Sequence, residues 1–246
     1  MLKRNWIVAL ALASSAALLA AAPPAPPASV PATAKYAGPV PTTAPADAKP
    51  PEAITPKEKT DLFNGKDFTG WVADAKTAAV SDWTIKDGMI ECVGKPNGYL
   101  RTTAAYTQYK VTVEWRFTKA GNTGVCVHMN PPPATTTRPN AVWPMCIECQ
   151  GMHGHQGDFW IWSGAHVNEP LKQTNGVIMT TPSAEKPVGE WNTFQVICKD
   201  DTVTIIVNGT TMNKVTGSNI KEGWIGLQSE GAGIEVRKVY IEPLEP

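Results

Sequence analysis

Charge of one dominant sign is absent from this chain: 22 lysines and arginines balance 22 aspartates and glutamates, for a formal net charge of zero. With no basic stripe to gather phosphates, neither nucleic acid nor an anionic membrane surface is expected as a partner. No G-x-S-x-G occurs, which removes the serine-hydrolase elbow. No glycine-rich phosphate loop occurs either, which removes the common nucleotide-binding readings. Histidine is scarce, with four among 246 residues. No internal repeat and no helical period of useful length are visible, so solenoids and helix bundles drop out.

Cysteine is present but uninformative as a framework. The five are Cys92, Cys126, Cys146, Cys149 and Cys198. An odd number leaves at least one thiol over. Cys146 and Cys149 have C-x-x-C spacing, yet no second such pair completes a zinc site. Strand alternation puts these two on opposite faces, which makes a bridge between them awkward. The five read mainly as small buried hydrophobes. Whether Cys126 pairs with Cys146, Cys149 or Cys198 is left open.

What is abundant lies first at the N-terminus. Lys3 and Arg4 precede an apolar run from Trp6 to Ala22 that ends in small residues, the pattern of a secretory signal peptide. A short membrane anchor is the competing reading; Ser14 and Ser15 weaken it. Residues 1–22 are therefore read as a signal peptide, and the chain as exported to the periplasm, the cell surface or the medium. No stable membrane insertion is expected after cleavage. Residues 23–55 are proline, alanine, threonine and serine with few large apolar side chains. Such a segment buries too little to offset its ordering entropy, so it reads as a disordered, extended linker. Residues 56–246 are left for one domain.

That domain reads as all-β. Trp83–Ile85 and Met89–Val93 flank Lys86-Asp87-Gly88, a hairpin turn. From Tyr109 to Phe117, Val111, Val113, Trp115 and Phe117 alternate with Thr112, Glu114 and Arg116. Further runs cover 124–129, 145–150, 158–162, 191–199, 202–207, 210–215, 223–228 and 234–241. Asn208-Gly209 is the strongest hairpin signal, and that turn is preferred over a glycosylation sequon at Asn208-Gly209-Thr210. Ten or more strands so spaced call for two stacked antiparallel sheets. Nine tryptophans are present, one of them, Trp6, in the leader. They serve core packing or, on a surface, give flat faces for sugar rings.

Candidate chemistry gathers in one stretch. Glu148 and Gln150 share a face of the strand Met145–Gln150, beside Cys146. A polar row on the outside of a sandwich is where a ligand lies; plain solvation is the bland alternative. The loop that follows holds His153 and His155, with Asp158 three residues on. Histidines at i and i+2 can share a metal. Alternation puts His128 on the same face as Gly124 and Cys126, so it stands near Glu148 if the two strands are neighbours.

An ordered set of short motifs then resembles the 3-keto-disaccharide hydrolase family, also called domain of unknown function 1080. It opens with Leu62-Phe63-Asn64-Gly65-Lys66-Asp67-Phe68-Thr69-Gly70-Trp71 and Trp83 with Asp87-Gly88. It continues through Gly98-Tyr99-Leu100-Arg101-Thr102, Asn122-Thr123-Gly124-Val125 and Glu148-Cys149-Gln150. Gly189-Glu190-Trp191-Asn192, Val207-Asn208-Gly209 and Gly223-Trp224-Ile225-Gly226-Leu227-Gln228-Ser229-Glu230-Gly231 follow. The resemblance implies a concanavalin A-like jelly roll acting on sugars oxidised at carbon 3. In that chemistry the ketone acidifies the C2 proton, a base removes it, the C1 substituent leaves, and water adds afterwards. On this reading Glu148, His128 and His153 are the catalytic candidates, with Glu148 as base or metal ligand. Arg101, Gln150, His155, Asp158, Trp160 and Trp162 are candidates for holding substrate. No cofactor is certain; a divalent metal ion is a candidate, with Glu148, His153 and His155 as its ligands. A carbohydrate is the expected partner. A lectin-like binding module on the same scaffold is the alternative, and a structural surface domain a third.

Overall fold

The computed structural model describes residues 49–73, 82–136, 142–171, 182–231 and 233–245. The expected signal peptide, and the expected linker up to residue 48, lie outside the described residues. The last part of the expected linker is held against the domain: the Ile54 amide donates to Ala105 O at 2.9 Å, and Thr107 donates to Ile54 O at 3.1 Å.

Fourteen strands form among the described residues, and no helix. In chain order they begin with β1 (Thr60–Asp61), β2 (Trp71–Ala73), β3 (Trp83–Lys86), β4 (Met89–Cys92), β5 (Gly98–Thr102), β6 (Tyr109–Phe117) and β7 (Gly124–Asn130). The rest are β8 (Met145–Gln150), β9 (Phe159–Trp162), β10 (Asn192–Lys199), β11 (Thr202–Val207), β12 (Thr210–Val215), β13 (Trp224–Ser229) and β14 (Ile234–Pro243). They build two antiparallel sheets. One runs β12-β11-β10-β6-β14-β4-β3, with β1 also paired to β14; the other runs β2-β5-β13-β7-β8-β9. The all-β sandwich read from the sequence is what forms.

Tight turns set much of this. β11 and β12 meet through Asn208-Gly209, whose φ values of 49° and 83° are both left-handed, as a two-residue hairpin of matching twist requires. β3 and β4 meet the same way through Asp87 and Gly88, at 52° and 75°. Between the sheets lies one continuous core. It takes Val111, Val113 and Trp115 from β6, Phe194 and Val196 from β10, and Ile147 and Cys149 from β8. Trp115 and Phe194 pack with ring centroids 4.7 Å apart.

Two irregularities reset the alternation. In β14 the register slips between Val236 and Lys238, so Ile234 and Val236 face inward before the bulge and Val239 and Ile241 after it. In β7, Cys126 pairs with Gly226 and Met129 with Trp224, three residues against two. The extra residue sits at His128, whose φ is 53°. Gly223 makes room there: a Cβ on it would stand 2.5 Å from Met129 O.

All five cysteines are free and buried.

Candidate functional site on the outer face of the six-stranded sheet

One side of the six-stranded sheet faces the core; the other carries the polar and aromatic residues. Across it runs a row of cross-strand partners: Arg101 on β5, Gly226 on β13, Cys126 on β7, Glu148 on β8 and Trp160 on β9. Beside it, Gln228 pairs with Tyr99, and Gly124 with Gln150. On the other flank Cys146 pairs with Trp162. Between Arg101 and Glu148 the row holds Gly226 and Cys126, and the Met129 side chain lies over Gly226, where a Cβ would stand 2.5 Å from Met129 Sδ.

Glu148 projects to this outer side, as strand parity requires, but it does not meet open solvent: it is 1 % exposed. The Trp162 indole Nε1–H donates to its Oε2 at 2.5 Å. Trp160 and Trp162, two apart on β9, stack with centroids 5.8 Å apart and planes 10° off parallel. Trp143 continues the strip at 6.5 Å from Trp162, and Tyr99 lies 6.3 Å from Trp143. Burial pushes the Glu148 carboxyl up to about 8, and the nearby Glu230 charge adds to the rise. The indole donor and the Gln228 amide pull the other way, but less. At neutral pH this carboxyl mostly keeps its proton.

Gln228 is fully buried, and neither Nε2 nor Oε1 of its amide has a hydrogen-bond partner. It leans on the Glu148 carboxyl closely enough to favour its charged form, but without a well-formed hydrogen bond. Its Oε1 lies over β7, 2.6 Å from where a Cβ on Gly124 would be. Glycine at 124 is therefore what lets this amide occupy the floor.

The other residues expected from sequence divide into three places. Gln150 and Asp158 join the same face: the Gln150 backbone N–H donates to the Asp158 backbone carbonyl at 2.9 Å, and the side-chain Gln150 Oε1 accepts from Met152 N at 2.9 Å. His155 sits at their edge, with Nδ1 3.4 Å from Asp158 Oδ2. Arg101 closes the far end of the row, its guanidinium 3.8 Å above the Trp224 ring and donating to Thr102 O at 2.9 Å. His153 leaves the face altogether. Its Nδ1 lies 3.0 Å from Glu185 Oε1, and its ring meets Phe117 edge-on at 6.4 Å.

His128 does not stand near Glu148. The bulge in β7 turns it inward, where its ring meets Tyr109 at 5.8 Å and its Nδ1–H donates to Ile220 O at 3.1 Å. Burial lowers its pKa to about 4, so it is neutral between the sheets. Simple alternation fails here because one inserted residue exchanges the faces; Met129, not His128, joins Cys126 and Cys146 on the outer side.

Glu148, His153 and His155, the candidate metal ligands, thus engage Trp162, Glu185 and Asp158 in turn. Among the described residues no three His, Cys, Asp or Glu side chains converge as a metal-ligating group. The set does not fit a metal ion.

Gln228, Glu230, Trp143 and Asn122 are the residues of this face that sequence reasoning passed over. The signal for two of them was present: Gly226, Gln228 and Glu230 alternate with the buried Ile225, Leu227 and Ser229. Trp143 follows a loop and had no period to place it.

Fold and site together define a two-sheet jelly-roll sandwich with a carboxyl and an aromatic strip on the outer face of one sheet. The chain belongs to the family of 3-keto-alpha-glucoside-1,2-lyase-like domains, whose model matches residues 58–242. A 3-keto-disaccharide hydrolase of Bacteroides thetaiotaomicron is 22% identical over 232 residues, covering 75% of this chain and 78% of that one. A Parabacteroides distasonis protein described as a candidate glycosyl hydrolase shares the fold with a TM-score of 0.54 at 24% identity, over 76% of this chain and 95% of its own. An endo-acting O-glycanase of the human gut microbiota superposes with a TM-score of 0.51 at 15% identity, over 75% and 98%.

Proposed function

We propose that this chain is an exported enzyme that cleaves glycosides of 3-keto sugars on the outer face of its six-stranded sheet, by elimination across C1 and C2 followed by hydration. The observation that carries this is Glu148: a buried carboxyl, hydrogen-bonded to Trp162 and directly opposite Trp160. A stacked tryptophan pair offers an apolar face for a sugar ring. A carboxyl beside it that holds its proton to about pH 8 is suited to general acid catalysis on a leaving oxygen. The base role first expected for Glu148 therefore becomes an acid role. Reaching the carboxyl, which is almost wholly buried, requires a neighbour to move. The family's description and the name of the Bacteroides relative agree with a 3-keto substrate.

The test uses the purified protein with an alkyl 3-keto-α-glucoside and its unoxidised parent glycoside. Cleavage of the first alone is expected, because only the ketone acidifies C2. Glu148→Gln is expected to lower kcat on the keto substrate by about 100-fold or more. Binding of both sugars without turnover would sink the enzyme reading in favour of a lectin-like module.

A further inference from the structure

β13 sends Trp224, Gly226 and Gln228 to the outer face, and Glu230 follows just past its end. Glu230 bridges across to Asn122 on the approach to β7. Its carboxylate is half-buried and makes no hydrogen bond or ion pair among the described residues. It lies near enough to Glu148 for the two charges to act on each other. The strand between them, β7, presents only Gly124 and Cys126 there. Two independent features point to a missing ligand at this spot. Gln228 has both amide atoms buried without a well-formed hydrogen bond, its polar neighbour being the Glu148 carboxyl, and Asn122 Oδ1 is buried and unpartnered. Native proteins rarely leave such atoms orphaned, since each costs about 1–3 kcal/mol when nothing satisfies it.

Resting on the function proposed above, we propose that Glu230 is a second catalytic carboxylate, the base that removes the C2 proton, while Glu148 protonates the leaving oxygen. The less buried of two carboxyls ionises first, which suits Glu230 for the base and Glu148 for the acid. Glu230 takes the C2 proton, and the C–H pair becomes the enolate of the C3 ketone. That pair then forms the C1=C2 bond as the C1–O bond breaks, and the aglycone oxygen takes the proton from Glu148. In the second half the Glu148 carboxylate draws a proton from water, whose oxygen adds to C1. Glu230 returns its proton to C2. Both groups are restored and the net change is hydrolysis.

The experiment separates the steps with three probes on the full chain and its Glu230→Gln, Glu230→Asp and Glu148→Gln variants. A 3-keto-1,5-anhydroglucitol, which has no leaving group, reports C2 exchange in D2O by NMR. The p-nitrophenyl and methyl 3-keto-α-glucosides report cleavage with and without a good leaving group. Glu230→Gln is expected to lose exchange and cleavage of both glycosides by about 100-fold or more, with Glu230→Asp intermediate. Its melting temperature should not fall, because only an unpaired charge is removed. Glu148→Gln is expected to lose methyl glucoside cleavage by a similar factor yet keep C2 exchange. Exchange by Glu230→Gln within about threefold of the parent overturns the assignment while the parent's activity upholds the function. Loss of exchange in Glu148→Gln with retention in Glu230→Gln also overturns it. A parent that neither exchanges nor cleaves any of the three removes the underlying function and the assignment together.

Discussion

At the level of single residues, burial of two titratable groups sets opposite pH limits on stability. Folded Glu148 gives up its proton near 8, against an ordinary value of 4.5. The stability it contributes is fully present below about 4.5 and is lost as the pH rises to 8. Folded His128 ionises near 4 against 6.5. Its contribution is present above 6.5 and lost as the pH falls to 4. The Glu148 span amounts to several kcal/mol, on the order of 5. Melting temperatures between pH 4 and 9 should therefore fall off on both sides, and Glu148→Gln should flatten the alkaline limb. A variant that keeps the parent's slope from pH 5 to 8 would refute the burial account. Gln228 adds a second prediction at this scale. Gln228→Met removes two orphaned polar atoms at nearly constant volume, so unfolding free energy should rise by about 1–2 kcal/mol while keto-glycoside turnover declines. Denaturant titration beside steady-state kinetics checks both halves.

Among the elements, β7 decides most. Up to Cys126 it alternates, so Val125 packs inward and Gly124 and Cys126 stay on the outer floor. The bulge at His128 then reverses the faces, and the partner strand permits it only because residue 223 is glycine. At Gly223, φ is 152°, and a Cβ would stand 2.5 Å from Met129 O and 2.6 Å from the His128 carbonyl carbon. Both obstacles are backbone and cannot swing aside. Gly223→Ala is expected to cost about 2–4 kcal/mol, read as a lower urea midpoint. An unchanged midpoint would show that the two strands part easily there. β9 works the other way: its regular alternation delivers Trp160 and Trp162 side by side, a stacking that requires no bulge.

For the molecule as a whole, every thiol is buried: Cys92, Cys149 and Cys198 in the core between the sheets, Cys126 and Cys146 in the apolar cluster on the outer face. Cys92, Cys126, Cys149 and Cys198 all have pKa values raised, chiefly by burial except at Cys126, where the Cys146 thiol contributes most. Such thiols are poor nucleophiles. A thiol reagent is expected to find none of the five cysteines in the native protein and all of them once guanidinium unfolds it. Stoichiometric labelling of a native cysteine would mark a local opening of the sandwich.

How much of this was legible in sequence depends on the range of the interaction involved. Alternating apolar residues and Asn208-Gly209 specify strands and hairpins locally, because side-chain period and turn twist are properties of a few consecutive residues. The same parity determined that Glu148, Gln150, Trp160 and Trp162 share an outer face. Tertiary structure alone decided what meets Glu148. Gln228 and Glu230 arrive from a strand some eighty residues away, Trp143 from a loop, and His128 is removed by one inserted residue. The depth of burial that holds the Glu148 proton is likewise a sum over neighbours distant in the chain, which no local pattern encodes.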